Sequence, residues 1–212
     1  MTQTSGQASV SPNVWGHAAW HMLHRMSFSK TLRDQDHDGA VQFFRSIVYI
    51  LPCKKCRNNM SDHLKHLPVP MSDNKNKTDA NVFAKWVWRL HTRVSESLPN
   101  KNDYVPPTFA QVKTRYSHYD NDPHLHYDSE HQFLFALVKT HPGARAITGD
   151  HLKALQTFMY YYIIVGHKND CLFKLDADQT FLKSKTEFKQ VIAKLTRTKT
   201  SSKLFNLPEC ST

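Results

Sequence analysis

The sequence predicts an all-α protein, and three observations carry that prediction. Apolar residues recur three and four apart over long stretches, while few segments show the period-two alternation of a half-buried strand. The 212 residues are 40% apolar and 11% aromatic, enough for a packed core without a disulfide scaffold. The cysteines Cys53, Cys56, Cys171 and Cys210 are too few for the framework of a small secreted domain.

The elements follow in order. Residues 1–10 are polar and small and predict a disordered leader. Ser11-Pro12 starts a first helix, with serine as cap and proline in the first turn, and Val14, Trp15, Ala18, Ala19, Met22, Leu23 and Met26 give its apolar spacing. Trp20 and His24, four apart, share a face. His17, His21 and His24 lie along the same helix and could mimic a metal site, but no carboxylate is expected to complete the cluster, so packed or solvated histidines are expected. After polar Asp34–Gly39, a second helix carries Val41, Phe44, Ile47, Val48 and Leu51 and stops at Pro52. A third helix runs from Cys53 to about Leu67 and ends at Pro68-Val69-Pro70. Thr78 or Asp79 is expected to cap a fourth, lined by Phe83, Trp86, Val87, Leu90, Val94 and Leu98; His91, Ser95 and Trp88 share a face, which reads first as an ordinary core helix with a satisfied histidine and second as a polar edge for a planar ligand. Thr108–Tyr116 predicts a short fifth helix. Further helices are expected at 129–140, 149–166 and 179–196, with a break at Pro142-Gly143. The Ser184/Glu187 capping-box pattern divides the last one.

Charge and targeting narrow the function. The formal charge is +10, from 28 basic and 18 acidic residues, with 14 histidines besides. The basic residues are scattered rather than clustered, which argues against nucleic acid as the main partner. The longest apolar-aromatic run, Phe158 to Val165, is too short to span a bilayer, and no secretory leader is expected. A cytoplasmic or virion setting is the expectation.

The chemistry concentrates at Leu51-Pro52-Cys53-Lys54-Lys55-Cys56-Arg57. Two cysteines three apart on a first helical turn can close as a disulfide. The open N–H groups of that turn, with Lys54, Lys55 and Arg57, favour a thiolate. The pair alone leaves three readings open: a redox dithiol, half of a zinc site or an accident. His63 and His66 complete a possible Cys/His zinc set for a binding module, although the span between the pairs is short beside ordinary finger spacing.

Three motifs in order resemble the Erv-type FAD-linked sulfhydryl oxidases, especially the short members carried by large DNA viruses. They are Trp15-Gly16-x-x-x-Trp20-x-x-x-His24, Leu51-Pro52-Cys53-x-x-Cys56-Arg57, and Trp86-x-x-x-x-His91-x-x-Val94-x-x-x-Leu98, followed by Lys101 and the segment to Tyr116. The resemblance spans residues 12–116 and implies a four-helix bundle with a short fifth helix, often dimeric, holding FAD at its mouth. It implies a cofactor set of Gly16, His17, Trp20, His24, Asn59, His91, Val94, Ser95, Lys101 and Tyr116, with no metal. It further implies that Cys56 faces the isoalloxazine ring while Cys53 exchanges with the incoming dithiol of a protein substrate, and that electrons pass to O2 and yield hydrogen peroxide. This chain departs from the family where His-Asn-x-Val-Asn becomes His91-Thr92-Arg93-Val94-Ser95, where His17 replaces an arginine, and where Asn59 replaces a histidine. The expected division is a leader (1–10), an oxidase domain (11–118) and a helical C-terminal domain (119–212) with a polar tail. Cys171 and Cys210 are open between a shuttle, an inter-subunit link and two unreactive thiols.

Overall fold

The computed structural model describes residues 9–32, 37–71, 79–98, 105–120, 127–143, 147, 149–166 and 180–197. Lys101, Thr78, Cys171, Cys210, most of the leader and the C-terminal tail lie outside them. Among the described residues the α-helices are α1 (Pro12–Phe28), α2 (His37–Ile50), α3 (Lys54–His66), α4 (Val82–Glu96), α5 (Phe109–Tyr116), α6 (His131–Thr140), α7 (Gly149–Gly166) and α8 (Lys185–Leu195), and no β-strand occurs. The all-α expectation holds.

Helix ends follow local chemistry, with some corrections to the sequence reading. Pro12 opens α1, but the Ser11 side chain makes no capping bond; the preceding Val10 is held instead by its N–H to Pro52 O (2.9 Å). Asn81 precedes α4, and Asp79 supports that end from outside, accepting from Asn81 N–H (2.9 Å) and from Lys85 Nζ (2.9 Å). Leu98 lies beyond the end of α4 and is exposed, so it is no part of the buried stripe. Thr108 and Gln111 form a reciprocal capping box on α5. Ser184 accepts from Glu187 N–H (3.3 Å) and divides the 3-10 turn Thr180–Lys183 from α8, as the sequence pattern predicts. Gly143 ends the α6 region at φ +83°, a conformation that favours glycine, and this accounts for the break there.

Two adjacent phenylalanines explain how the halves join. Phe43 and Phe44 on α2 are both fully buried but point to different neighbours. Phe44 packs on Phe83 (5.3 Å) and Trp86 of α4 (5.4 Å), inside the N-terminal bundle. Phe43 stacks on Phe158 of α7 (5.6 Å, 17°) and meets the edge of Tyr161. Likewise α1 packs against α4 and also against α6, where Trp15 meets Phe133 (5.8 Å). Residues from Val10 to Leu195 therefore share one continuous apolar cluster. The helices on either side of residue 118 bury their faces against each other, and each such aromatic is worth ~3–5 kcal/mol against truncation to alanine.

Candidate active site

The dithiol sits where the sequence places it, at the start of a polar surface helix. Cys53 is extended (φ −146°, ψ 122°) and is the N-cap of α3. Its sulfur accepts the backbone N–H of Cys56 at 3.2 Å, the bond a serine cap makes with its hydroxyl. Cys53 is buried and Cys56 half-buried. Arg57 fixes the approach. Its Nη1 donates to Leu51 O at 2.6 Å, and its N–H donates to Cys53 O at 3.0 Å. Burial lowers the Arg57 guanidinium from its ordinary value, while the nearby Cys53 and Cys56 sulfurs pull it the other way.

The second group lies on α1, α4 and α5. The Trp20 indole stacks on the His91 imidazole at 4.1 Å and 9°, in contact and leaving no room for a third ring between them. His91 Nδ1 and His24 Nε2 are 2.9 Å apart, so one of the two nitrogens donates to the other. On its far side His24 stacks on Tyr116 at 4.9 Å and 20°. Burial, and then the neighbouring His91, His21 and Arg115, lower His24 to about 3. Burial, and then His17, lower His91 to about 4. Burial also raises the Tyr116 phenol. The pair is thus neutral near pH 7, within a wall of four rings. His24 Nδ1 is buried and has no hydrogen-bond partner among the described residues. An unpaired buried nitrogen costs about 1–3 kcal/mol, so a ligand able to bond it would gain from doing so.

Residues 17–117 match the Erv1 / Alr family. A protein of Acanthamoeba polyphaga mimivirus named "probable FAD-linked sulfhydryl oxidase" is 32% identical over 106 residues, covering 49% of this chain and 72% of the relative. The chain belongs to the Erv1 / Alr family. An African swine fever virus protein named "FAD-linked sulfhydryl oxidase" is 26% identical over 89 residues, covering 41% of this chain and 70% of that relative. No solved structure matches the chain significantly. The family match ends just after α5, so α6 to α8 lie beyond it.

In this Erv1 / Alr chain the fold brings Trp20, His24, His91 and Tyr116 into direct contact. Ser95 is buried and Val94 half-buried further along α4, which packs against both α1 and α3. His17 is exposed one turn before Trp20, and Asn59 is exposed on α3. Gly16 is half-buried, and a Cβ built there meets no atom of the described residues within 4 Å, so none of them demands a glycine. Trp88, the second reading's ligand edge, does not join the wall: its indole donates to Pro107 O (2.8 Å) and packs on Phe109 (5.8 Å), tying α5 to α4. The planar surface comes from Trp20 instead.

The zinc alternative fails on helix geometry. Cys53 and Cys56 stand at one end of α3, and His63 and His66 lie toward the other. Ten residues of straight helix separate matched members by ~15 Å, whereas zinc ligands lie ~2 Å from the metal. His66 Nδ1 bonds Asp62 O instead (2.9 Å), and among the described residues no group of three His, Cys, Asp or Glu could hold a metal ion. Sequence reasoning also missed a buried carboxylate beside the α1 histidines, Glu130, which pairs with Arg25. The signal available was the four-residue spacing of His21 and Arg25, but their partner lies 105 residues beyond Arg25.

Proposed function

We propose that the protein is an FAD-linked thiol oxidase that forms disulfides in protein substrates. One observation carries the reading: in a chain of this family, a Cys-x-x-Cys pair caps α3 with its first sulfur on a helix N–H. Three features of the wall fit a flavin nucleotide. Trp20 and His91 form a flat aromatic surface, His24 Nδ1 is a buried nitrogen awaiting a partner, and Gly16 leaves open space on the helix that carries Trp20. Trp20, His24, His91 and Tyr116 would hold the cofactor, with Ser95 and Val94 beside them.

The oxidised pair does the exchange. A substrate thiolate attacks Cys53 Sγ, forming a mixed disulfide and breaking the Cys53–Cys56 bond, and Cys56 leaves with the electron pair. A second substrate thiolate then attacks the substrate sulfur, closing the product disulfide and expelling Cys53. The Cys56 N–H bonded to Cys53 Sγ receives the charge arriving on that atom. Arg57 adds a positive charge beside both sulfurs and pins the Leu51 carbonyl, so the loop before Cys53 keeps its place during attack. Bound FAD supplies the two-electron acceptor for the reduced pair, with O2 as the final oxidant and hydrogen peroxide as product.

The same reading makes the protein a homodimer acting on dithiol proteins in the cytoplasm or virion. No helix among the described residues is long and apolar enough to cross a membrane. The test is oxygen consumption with a reduced dithiol substrate. One hydrogen peroxide per disulfide is expected, with none from Cys53→Ser or Cys56→Ser; equal turnover by either variant refutes the reading.

A further inference from the structure

The wall of rings is braced from behind by a residue outside the family match. Glu130 ends the 3-10 turn Tyr127–Glu130 and stands at the N-cap position of α6, yet its side chain makes no capping bond there. It reaches α1 instead. Arg25 Nε donates to Oε1 at 2.7 Å and Arg25 Nη2 to Oε2 at 2.9 Å, a two-pronged pair, and His21 Nδ1 lies 3.3 Å from Oε1. Glu130 is 0% exposed, Arg25 6% and His21 8%. Burial by itself would raise the Glu130 carboxyl, but Arg25 and His21 together bring it down to about 2, so it is ionised and can only accept. His21 therefore donates through Nδ1, and its Nε2 meets the Tyr119 hydroxyl at 3.2 Å.

His21 in turn touches the wall. Its ring meets the face or edge of Tyr116 at 5.5 Å and 64°, and Tyr116 stacks on His24. The path from Glu130 through His21, Tyr116 and His24 to His91 and Trp20 consists of direct contacts. We infer that Glu130 is a positioning residue for the cofactor wall: the segment after α5 fixes, through His21 and Tyr116, the orientation of His24 and its bond to His91. This deepens the oxidase reading and rests on it for the identity of the ligand, but not for the coupling itself.

Glu130→Ala removes the carboxylate that Arg25 bonds with two nitrogens in a buried setting, and such a variant can simply unfold. The informative variants are Glu130→Gln, which keeps the shape, and the double change Glu130→Gln with Arg25→Gln, which removes both charges together. A destabilising control is Ile192→Ala on α8, fully buried and not one of the residues in this chain of contacts. Two readouts apply to the full chain. The first is flavin-fluorescence titration with FAD: both Glu130 variants should bind roughly tenfold more weakly than wild type, about the loss of one charge-assisted hydrogen bond, while Ile192→Ala binds as wild type does. The second uses the protein without cofactor: imidazole nitrogen NMR signals of His24 and His91 should move in both Glu130 variants and stay put in Ile192→Ala. Unmoved His24 and His91 signals in a folded Glu130 variant overturn the inference. If wild-type protein binds no FAD, the oxidase reading fails, and the NMR comparison still decides the coupling.

Discussion

Lowering the pH from 7.5 to 5 should unload the His24–His91 pair, and the structure sets the size of the effect. Both imidazoles are held neutral, His24 at about 3 and His91 at about 4, against an ordinary 6.5 in the unfolded chain. A base whose folded pKa is depressed favours the unfolded state as pH falls through the unfolded value. The unfolded chain takes up a proton that the folded chain refuses, so the loss runs from about pH 6.5 downward and levels off only near pH 3–4. At pH 5 an unfolded imidazole lies about 1.5 pH units below its midpoint, or ~2 kcal/mol. The two residues together therefore cost ~3–4 kcal/mol between pH 7.5 and 5, with the more solvated His91 giving the smaller share. His151, which burial and then Arg57 and His141 lower to about 4, titrates in the same window, so wild-type protein alone cannot isolate the pair. Glu130, lowered to about 2, contributes stability that is lost only as pH falls from about 4.5 toward 2, below this window. The assay is urea unfolding of wild type, His24→Gln and His91→Gln at both pH values. Each variant should lose ~1.5–2 kcal/mol less than wild type on acidification. Equal pH-dependent losses in all three proteins would refute the assignment of a neutral, buried pair.

Four further outcomes follow from named residues. Cys56→Ser supplied with a substrate in its disulfide form should trap a mixed disulfide on Cys53, as the Cys53 thiolate attacks the substrate disulfide and releases the other substrate thiolate, detected by mass spectrometry; adducts forming only in Cys53→Ser would reverse the two roles, an order that the greater burial of Cys53 makes worth testing. Gly16→Ala fills space that no protein atom occupies, so urea unfolding should show it unchanged or up to ~1 kcal/mol more stable through helix propensity, while FAD titration should show weaker binding. Phe158→Ala should cost ~3–5 kcal/mol by removing the Phe43 stack, and a chain cut at residue 120 should fail to give a cooperative thermal transition, because α1 and α2 would expose Trp15 and Phe43; a sharply melting fragment would contradict the shared core.

What the sequence disclosed divides along local and long-range lines. The helices are legible because three-and-four spacing is local, and the dithiol is legible because Pro52, Cys53 and Cys56 lie within one turn. Trp20 and His24 share a face by spacing alone, and His91 follows from the motif order. Their contacts do not: whether Trp20 or Trp88 stacks on His91 depends on how α1, α4 and α5 pack, and Trp88 is drawn away by the Pro107 carbonyl. Phe43 is absent from the predicted α2 stripe because it faces a helix more than a hundred residues later. Glu130 was invisible for the same reason, since nothing near it in sequence marks a carboxylate that will be buried against Arg25. The zinc alternative, open on spacing, closes once α3 is seen as one straight helix.

Electrons leaving the sulfurs of Cys53 and Cys56 need a bound flavin to receive them. Visible absorbance under anaerobic conditions reads that transfer. Purified protein, supplied with FAD if needed and freed of excess, should hold a flavin band in the blue that bleaches when a dithiol is added and returns on admitting air; Cys53→Ser should keep the band but not bleach. A wild-type preparation that retains no such band, or one whose band is indifferent to dithiol, contradicts the account.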